Sequence, residues 1–89
     1  MKAFLAYPAE PVGLRDTIER AVAIAPKAQI DIRPWPQLEI FGGFIPDEVR
    51  AAIDEADVGF FDITIPNQNV YYELGYAVGR NKPVGPILN

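Results

Sequence analysis

The chain has 89 residues, a formal net charge of −4 and 49% hydrophobic residues, which is the size and composition of one small soluble domain. It contains no Cys, no His and no Ser, which excludes disulfides, the common zinc sites and Ser-His-Asp triads. The acidic balance without a basic run argues against direct binding of nucleic acid, and no stretch is long enough to span a bilayer. We therefore expect a cytoplasmic domain whose chemistry relies on carboxylates, amides, hydroxyls and backbone groups, with no metal site.

Short apolar runs alternate with amphipathic stretches along the whole chain. The apolar start is soon followed by Pro8, Glu10 and Pro11, so it is a first strand and not a signal peptide. A long irregular connection is expected to start at Pro34-Trp35-Pro36. Period-2 and period-3.6 patterns predict strands over 2–7, 29–33 and 58–63 and within 82–88, and helices over 12–25, from 46 to 56 and over 70–80.

This alternation of strand and helix predicts an α/β fold with a parallel sheet and helices on both of its faces. The flavodoxin-like strand order 2-1-3-4 is the natural arrangement for four such strands. No internal repeat or low-complexity linker divides the chain, so residues 1–89 are expected to form one domain.

The segment Asp62–Ala77 combines the end of a buried strand, a polar turn and a helix with one acid. Asn69 is the expected N-cap, which places Glu73 in the second turn of the helix. Open α/β sheets bind ligands at the carboxyl ends of their strands, where this acid would lie. Glu73 and Tyr76 are expected to share a face that points into a crevice. The residues expected to face the sheet are Leu74, Ala77 and Val78, and Gly75 and Gly79 predict close packing of this helix.

Three stretches of the sequence form one motif: Asp62-Ile63-Thr64, then Asn67-Gln68-Asn69-Val70-Tyr71-Tyr72-Glu73-Leu74-Gly75-Tyr76-Ala77, then Lys82-Pro83-Val84. This motif resembles those of nucleotide-processing TIR-like domains and of the related nucleoside 2-deoxyribosyltransferase-like family. In that superfamily the helix glutamate is catalytic. It acts on the N-glycosidic bond of NAD in the TIR enzymes and of a deoxynucleoside in the transferases. The resemblance implies that Glu73 is the catalytic residue. Since TIR-like domains normally continue with a further helix and strand, it covers about two-thirds of such a domain and implies the N-terminal part of a longer chain, truncated at its C-terminus.

The substrate-binding candidates are less specific than Glu73, and each has a structural alternative. Asn67 fits a turn as well as a ligand contact. Asp62 fits a ribose hydroxyl or loop amides, and Tyr7 and Pro8 fit a nucleotide loop or a cover over the sheet end. Arg80 and Lys82 could neutralise a pyrophosphate, but they also fit ordinary charges at a helix C-terminus. The remaining candidates are Tyr72 and, in the connection after the second strand, Trp35, Phe41, Gly42 and Gly43.

By resemblance, the Trp35–Gly43 loop gates the site, stacks Trp35 and Phe41 on a base or nicotinamide ring, and mediates self-association into a homo-oligomer. The alternative is that the aromatic residues plug the sheet edge. The resemblance further implies an NAD glycohydrolase in defence signalling, activated by a sensor domain on the same longer chain, with NAD as substrate and no cofactor. Two other functions remain open: a nucleoside 2-deoxyribosyltransferase-like enzyme, and a non-catalytic module for nucleotide binding or self-association.

Overall fold

The alternating pattern of the sequence folds into alternating strands and helices, as predicted. The computed structural model describes residues 1–8, 12–26, 28–37 and 46–88. In chain order, these residues form β1 (Lys2–Pro8), α1 (Val12–Ile24), β2 (Asp31–Gln37), α2 (Asp47–Glu55), β3 (Val58–Asp62), α3 (Gln68–Gly79) and β4 (Val84–Ile87).

The described strands form one four-stranded parallel sheet in the order β2-β1-β3-β4, which confirms the predicted flavodoxin-like arrangement. The order reverses between β1 and β3, because β1 leads through α1 to β2 on one side and β3 leads through α3 to β4 on the other. Helices α2 and α3 contact each other and lie on one face of the sheet, and α1 lies on the opposite face, against β2. The carboxyl ends of β1 and β3 therefore flank the switch point where such folds bind ligands.

The hydrophobic core lies between the sheet and the α2/α3 pair. Phe4 is its centre, with its ring 5.9 Å from the ring of Phe61 and 6.2 Å from the ring of Trp35. The buried cluster around these rings contains Ala6, Val49, Ala52, Ile53, Ala56, Val70 and Ala77. On the other face α1 has no buried residue, so that helix is held less tightly than α2 and α3.

The second strand is longer than the sequence predicted. The prediction that an irregular connection starts at Pro34 is wrong, since β2 continues through Trp35 to Gln37. Strand β2 pairs only with β1 within the described sheet. A proline is tolerated in an edge strand where its missing N–H would face away from the neighbouring strand. The backbone nitrogens of Pro34 and Pro36 are two residues apart along the strand, so both point to the same edge of β2.

The third helix differs from the prediction in its start and in its faces. It begins at Gln68 and not at Val70. Val78, expected to face the sheet, is 54% exposed. Gly75 and Gly79 are exposed, and a Cβ at either position would meet nothing within 4 Å, so close packing does not explain them. Within the described ranges, no helix combines the length and the apolar character that crossing a membrane requires.

Candidate active site

The polar turn after β3 begins with Asp62, whose side chain is only 3% exposed. Its Oδ1 accepts a hydrogen bond of 2.9 Å from the backbone N–H of Thr64. Asp62 also lines a cavity between α1 and the sheet. Of the two roles considered for Asp62, the structure shows the bond to a loop amide, and the side chain lies on the α1 face of the sheet.

Asn67 is the N-cap of α3. Its Oδ1 accepts hydrogen bonds from the backbone N–H groups of Asn69 (3.0 Å) and Val70 (3.2 Å), and its backbone is extended. The prediction that Asn69 caps this helix is therefore wrong. Asn69 lies within the first turn and is buried. Both asparagines have the chemistry of a cap, and the helix begins at the earlier one.

Glu73 lies in the second turn of α3, as predicted, and its side chain is 0% exposed. It belongs to a buried stripe with Asn69, Val70 and Ala77, which are three or four residues away along the helix. The alternative that Glu73 is an ordinary solvated helix glutamate is therefore wrong. Burying a carboxyl group costs free energy unless polar groups compensate it, so the burial of Glu73 indicates a specific structural or functional role.

Tyr76 does not share the orientation of Glu73, contrary to the prediction. Its Oη donates to Asp54 of α2, at 3.0 Å from Oδ1 and 2.9 Å from Oδ2. Burial is the main cause that raises the pKa of the Tyr76 phenol, and the hydrogen bond with Asp54 raises it further. Tyr76 thus fastens α3 to α2, while Glu73 belongs to the buried stripe of α3.

Tyr7 and Pro8 are buried at the carboxyl end of β1. Tyr7 Oη donates a hydrogen bond of 2.8 Å to Glu19 Oε2 on α1. Burial is the main cause that raises the pKa of the Tyr7 phenol well above its usual range, and the hydrogen bond to Glu19 adds to it. Because successive strand residues point to opposite faces, Tyr7 is on the α1 face, whereas Ala6 belongs to the core under α2 and α3.

Trp35 and Tyr72 lie on the side of the molecule that carries Glu73. Trp35 is in β2, half-buried, and its ring stacks on Phe4 in the core. Tyr72 precedes Glu73 on α3 and is 43% exposed. The other candidates of the connection, Phe41, Gly42 and Gly43, lie outside the described residues, as does most of the predicted self-association loop.

The sheet divides the predicted site residues into two groups. Glu73 and Trp35 are on the α2/α3 face, and Tyr7 and Asp62 are on the α1 face. Asn67 is at the start of α3. The structure therefore brings Glu73 to the face of Trp35, and it separates Glu73 from Tyr7 and Asp62.

The sequence did not predict the polar cluster around Asp54, which ties α2 to α3. Besides Tyr76, Arg80 contacts Asp54 through Nε at 3.1 Å from Oδ1. Lys82 Nζ donates to the backbone carbonyls of Asp54 (2.6 Å) and Ala56 (2.8 Å). The hydrogen bond from Tyr76 is the main cause that lowers the pKa of Asp54, and the hydrogen bond and positive charge of Arg80 lower it further.

This cluster lies at the C-terminal ends of α2 and α3, hence at the amino edge of the parallel sheet. The alternative role of Arg80 and Lys82 as pyrophosphate ligands at the carboxyl edge is not supported by this position. The partners are 22 to 28 residues apart in sequence, so no local spacing marks the cluster.

Comparison with known protein families, curated proteins and solved structures gives no match for this chain. In the part of the chain that the structure describes, no group of three or more His, Cys, Asp or Glu residues is placed to hold a metal ion.

Proposed function

We propose that this chain is a TIR-like domain that cleaves the nicotinamide–ribose bond of NAD, with Glu73 as the catalytic carboxylate. The observation that carries the proposal is the complete burial of this one acid in the second turn of the helix that follows β3. This helix follows the carboxyl end of β3, one of the two strands that flank the switch point of the sheet, and the surrounding motif is the one that resembles the TIR-like domains.

The proposed chemistry needs only a carboxylate. The bond between C1′ of the ribose and the nicotinamide nitrogen breaks, and both electrons leave with nicotinamide, which becomes neutral. The ribose is left as an oxocarbenium ion, and the negative charge of Glu73 stabilises it. Water then adds to C1′ and releases a proton, which gives ADP-ribose. A hydroxyl of the same molecule or another base can capture the same cation, which would lead to cyclisation or base exchange.

The burial of Glu73 sets a condition on this proposal. A catalytic carboxylate must touch the substrate, and in this structure no part of Glu73 reaches the surface. We propose that self-association opens the site and supplies a neighbour's loop, with the segment from Trp35 to Gly43 as the contact. The dilute single domain is then inactive, and an assembling sensor domain on a longer chain activates it, as in cytoplasmic defence signalling.

One observation favours the second candidate, a module that binds a nucleotide or self-associates without turnover. Three of the predicted substrate contacts already have partners inside the fold. Tyr7 donates to Glu19, Asp62 accepts from Thr64, and Asn67 caps α3. A non-catalytic domain would need Glu73 only for its structure.

The test is NAD consumption and nicotinamide release by the longest natural form of the protein at high concentration. Glu73→Gln keeps the shape of the side chain and removes its charge, and it should lower the rate about 100-fold or more. Glu48→Gln is the matched control, because Glu48 is an exposed acid in the first turn of α2 and should not matter.

A parallel reaction with two deoxynucleosides identifies the transferase. Base exchange that depends on Glu73, without NAD loss, would replace NAD cleavage by deoxyribosyl transfer. Self-association with neither reaction would leave the binding module.

A further inference from the structure

An apolar cavity of about 240 Å³ lies between α1 and the sheet. Leu14, Ile18 and Val22 contribute the helix side of its wall. The sheet contributes Leu5, Ile32 and Ile87, from three different strands. None of the residues of α1 is buried, and the cavity lies between the side chains of this helix and the sheet.

Asp62 is the only charged residue among the described residues that line this cavity. Its side chain is 97% buried, since only 3% is exposed, and it receives one backbone hydrogen bond, from Thr64. A carboxylate has room for several donors, and in apolar surroundings it is stabilised by a positively charged partner. No Lys or Arg is among the lining residues that the structure describes. The cavity thus combines apolar walls with one buried carboxyl group that accepts a backbone hydrogen bond.

We propose that this cavity binds a small organic cation, with an apolar body against α1 and the sheet and a protonated amine on the Asp62 carboxylate. Apolar walls with a few well-placed polar groups are the usual composition of small-molecule sites. A cavity of about 150 Å³ is enough for benzene, so this one has room for a ring with a short aminoalkyl arm. The charge of Asp62 selects the cation over a neutral or anionic ligand of the same shape.

This site is separate from the proposed catalytic acid. Asp62 and the cavity are on the α1 face of the sheet, and Glu73 is on the α2/α3 face. The inference therefore does not depend on NAD cleavage, and it holds equally for a module without turnover.

The experiment is a titration of the ¹⁵N-labelled protein, followed by the amide signals, with three ligands of one shape. They are 2-phenylethylamine, 2-phenylethanol and 3-phenylpropanoate, which are cationic, neutral and anionic at pH 7. We expect the amine to shift the signals of Leu14, Ile18 and Thr64 and to bind about tenfold more tightly than the alcohol. The anion should bind more weakly than the alcohol.

Two variants and one control locate the interaction. Asp62→Asn should abolish the preference for the amine, whereas Glu48→Gln should keep it because Glu48 is exposed on α2. Ala21→Phe places a ring at the mouth of the cavity, where Ala21 is exposed, and should block all three ligands.

Three results would overturn the proposal. The first is equal affinity of the three ligands for the parent protein, a comparison that needs no variant to fold. The second is a preference for the amine that survives Asp62→Asn or maps to signals outside the cavity. The third is a change of the cavity signals with protein concentration alone, without binding of the amine, which would show that a second copy of the chain covers this face.

Discussion

Replacing Asn67 by alanine tests how α3, and with it Glu73, is positioned. The Asn67 side chain accepts from two backbone N–H groups of the first turn, those of Asn69 and Val70. Removing it leaves both groups without this acceptor. Loss of such a cap costs about 1 kcal/mol, within a range of about 0.5–2 kcal/mol.

That loss is large for a domain of this size. At about 0.05–0.15 kcal/mol per residue, 89 residues give a total stability of about 4–13 kcal/mol. We expect Asn67→Ala to lower the melting temperature by about 4–8 °C. With a urea dependence of about 2 kcal/mol per molar, the unfolding midpoint should fall by about 0.5 M.

The assay is urea unfolding followed by tryptophan fluorescence. Trp35 is the one tryptophan of the chain and packs against Phe4 in the core, so it reports on global unfolding. Asn67→Asp should retain the cap, and Gln68→Ala, an exposed change in the same turn, should shift stability by less than about 0.5 kcal/mol. Asn67 does not stabilise α3 as a cap if Asn67→Ala changes stability no more than Gln68→Ala, or if Asn67→Asp is as destabilising as Asn67→Ala.

Three further changes test other parts of the structure. Tyr7→Phe removes the hydrogen bond to Glu19 and should lower the free energy of unfolding in urea at pH 7 by about 1.5–3 kcal/mol. Because the pKa of Tyr7 is raised in the folded protein, the parent should lose stability above pH 10, and Tyr7→Phe should lose less. An equal loss in both proteins would contradict this role of Tyr7. The lowered pKa of Asp54 stabilises the fold above the unfolded pKa of about 3.8, and this stabilisation is lost as the pH falls through the lower folded pKa. The melting temperature should therefore depend less on pH between pH 5 and about 2 in Asp54→Asn than in the parent. An unchanged pH dependence would argue against the cluster. Gly75→Ala meets open space and should stabilise α3 by about 1 kcal/mol in the same urea assay, and destabilisation would show that something packs there.

The sequence predicted the fold well because the fold depends on periodic features. Strands β1 and β3 and the three helices of the described residues are marked by apolar spacing, and parallel α/β connectivity follows from their alternation. The error at Pro34-Trp35-Pro36 arose because proline is a strong signal for a break, whereas an edge strand pairs on one side only. Local propensity does not reveal which strand will be at an edge.

The site was less predictable than the fold. The helix position of Glu73 follows from local spacing, but its complete burial depends on how α3 docks on the sheet. The same docking turned Tyr76 towards Asp54, a partner 22 residues away that no short motif could indicate. The sequence indicates Asn69 as the N-cap, whereas the structure has Asn67 in this role. The two side chains have the same capping chemistry, so only the position of the first helical residue distinguishes them.

The decisive measurement for the role of Glu73 is nicotinamide release from NAD across a series of protein concentrations, with the parent protein and Glu73→Gln measured side by side. If Glu73 is the catalytic carboxylate, the rate per protein molecule rises with concentration in the parent, as assembly exposes Glu73, and falls by about 100-fold or more in the variant. Release that Glu73→Gln leaves unchanged, or no release from a parent protein that demonstrably assembles, would contradict a catalytic role of Glu73.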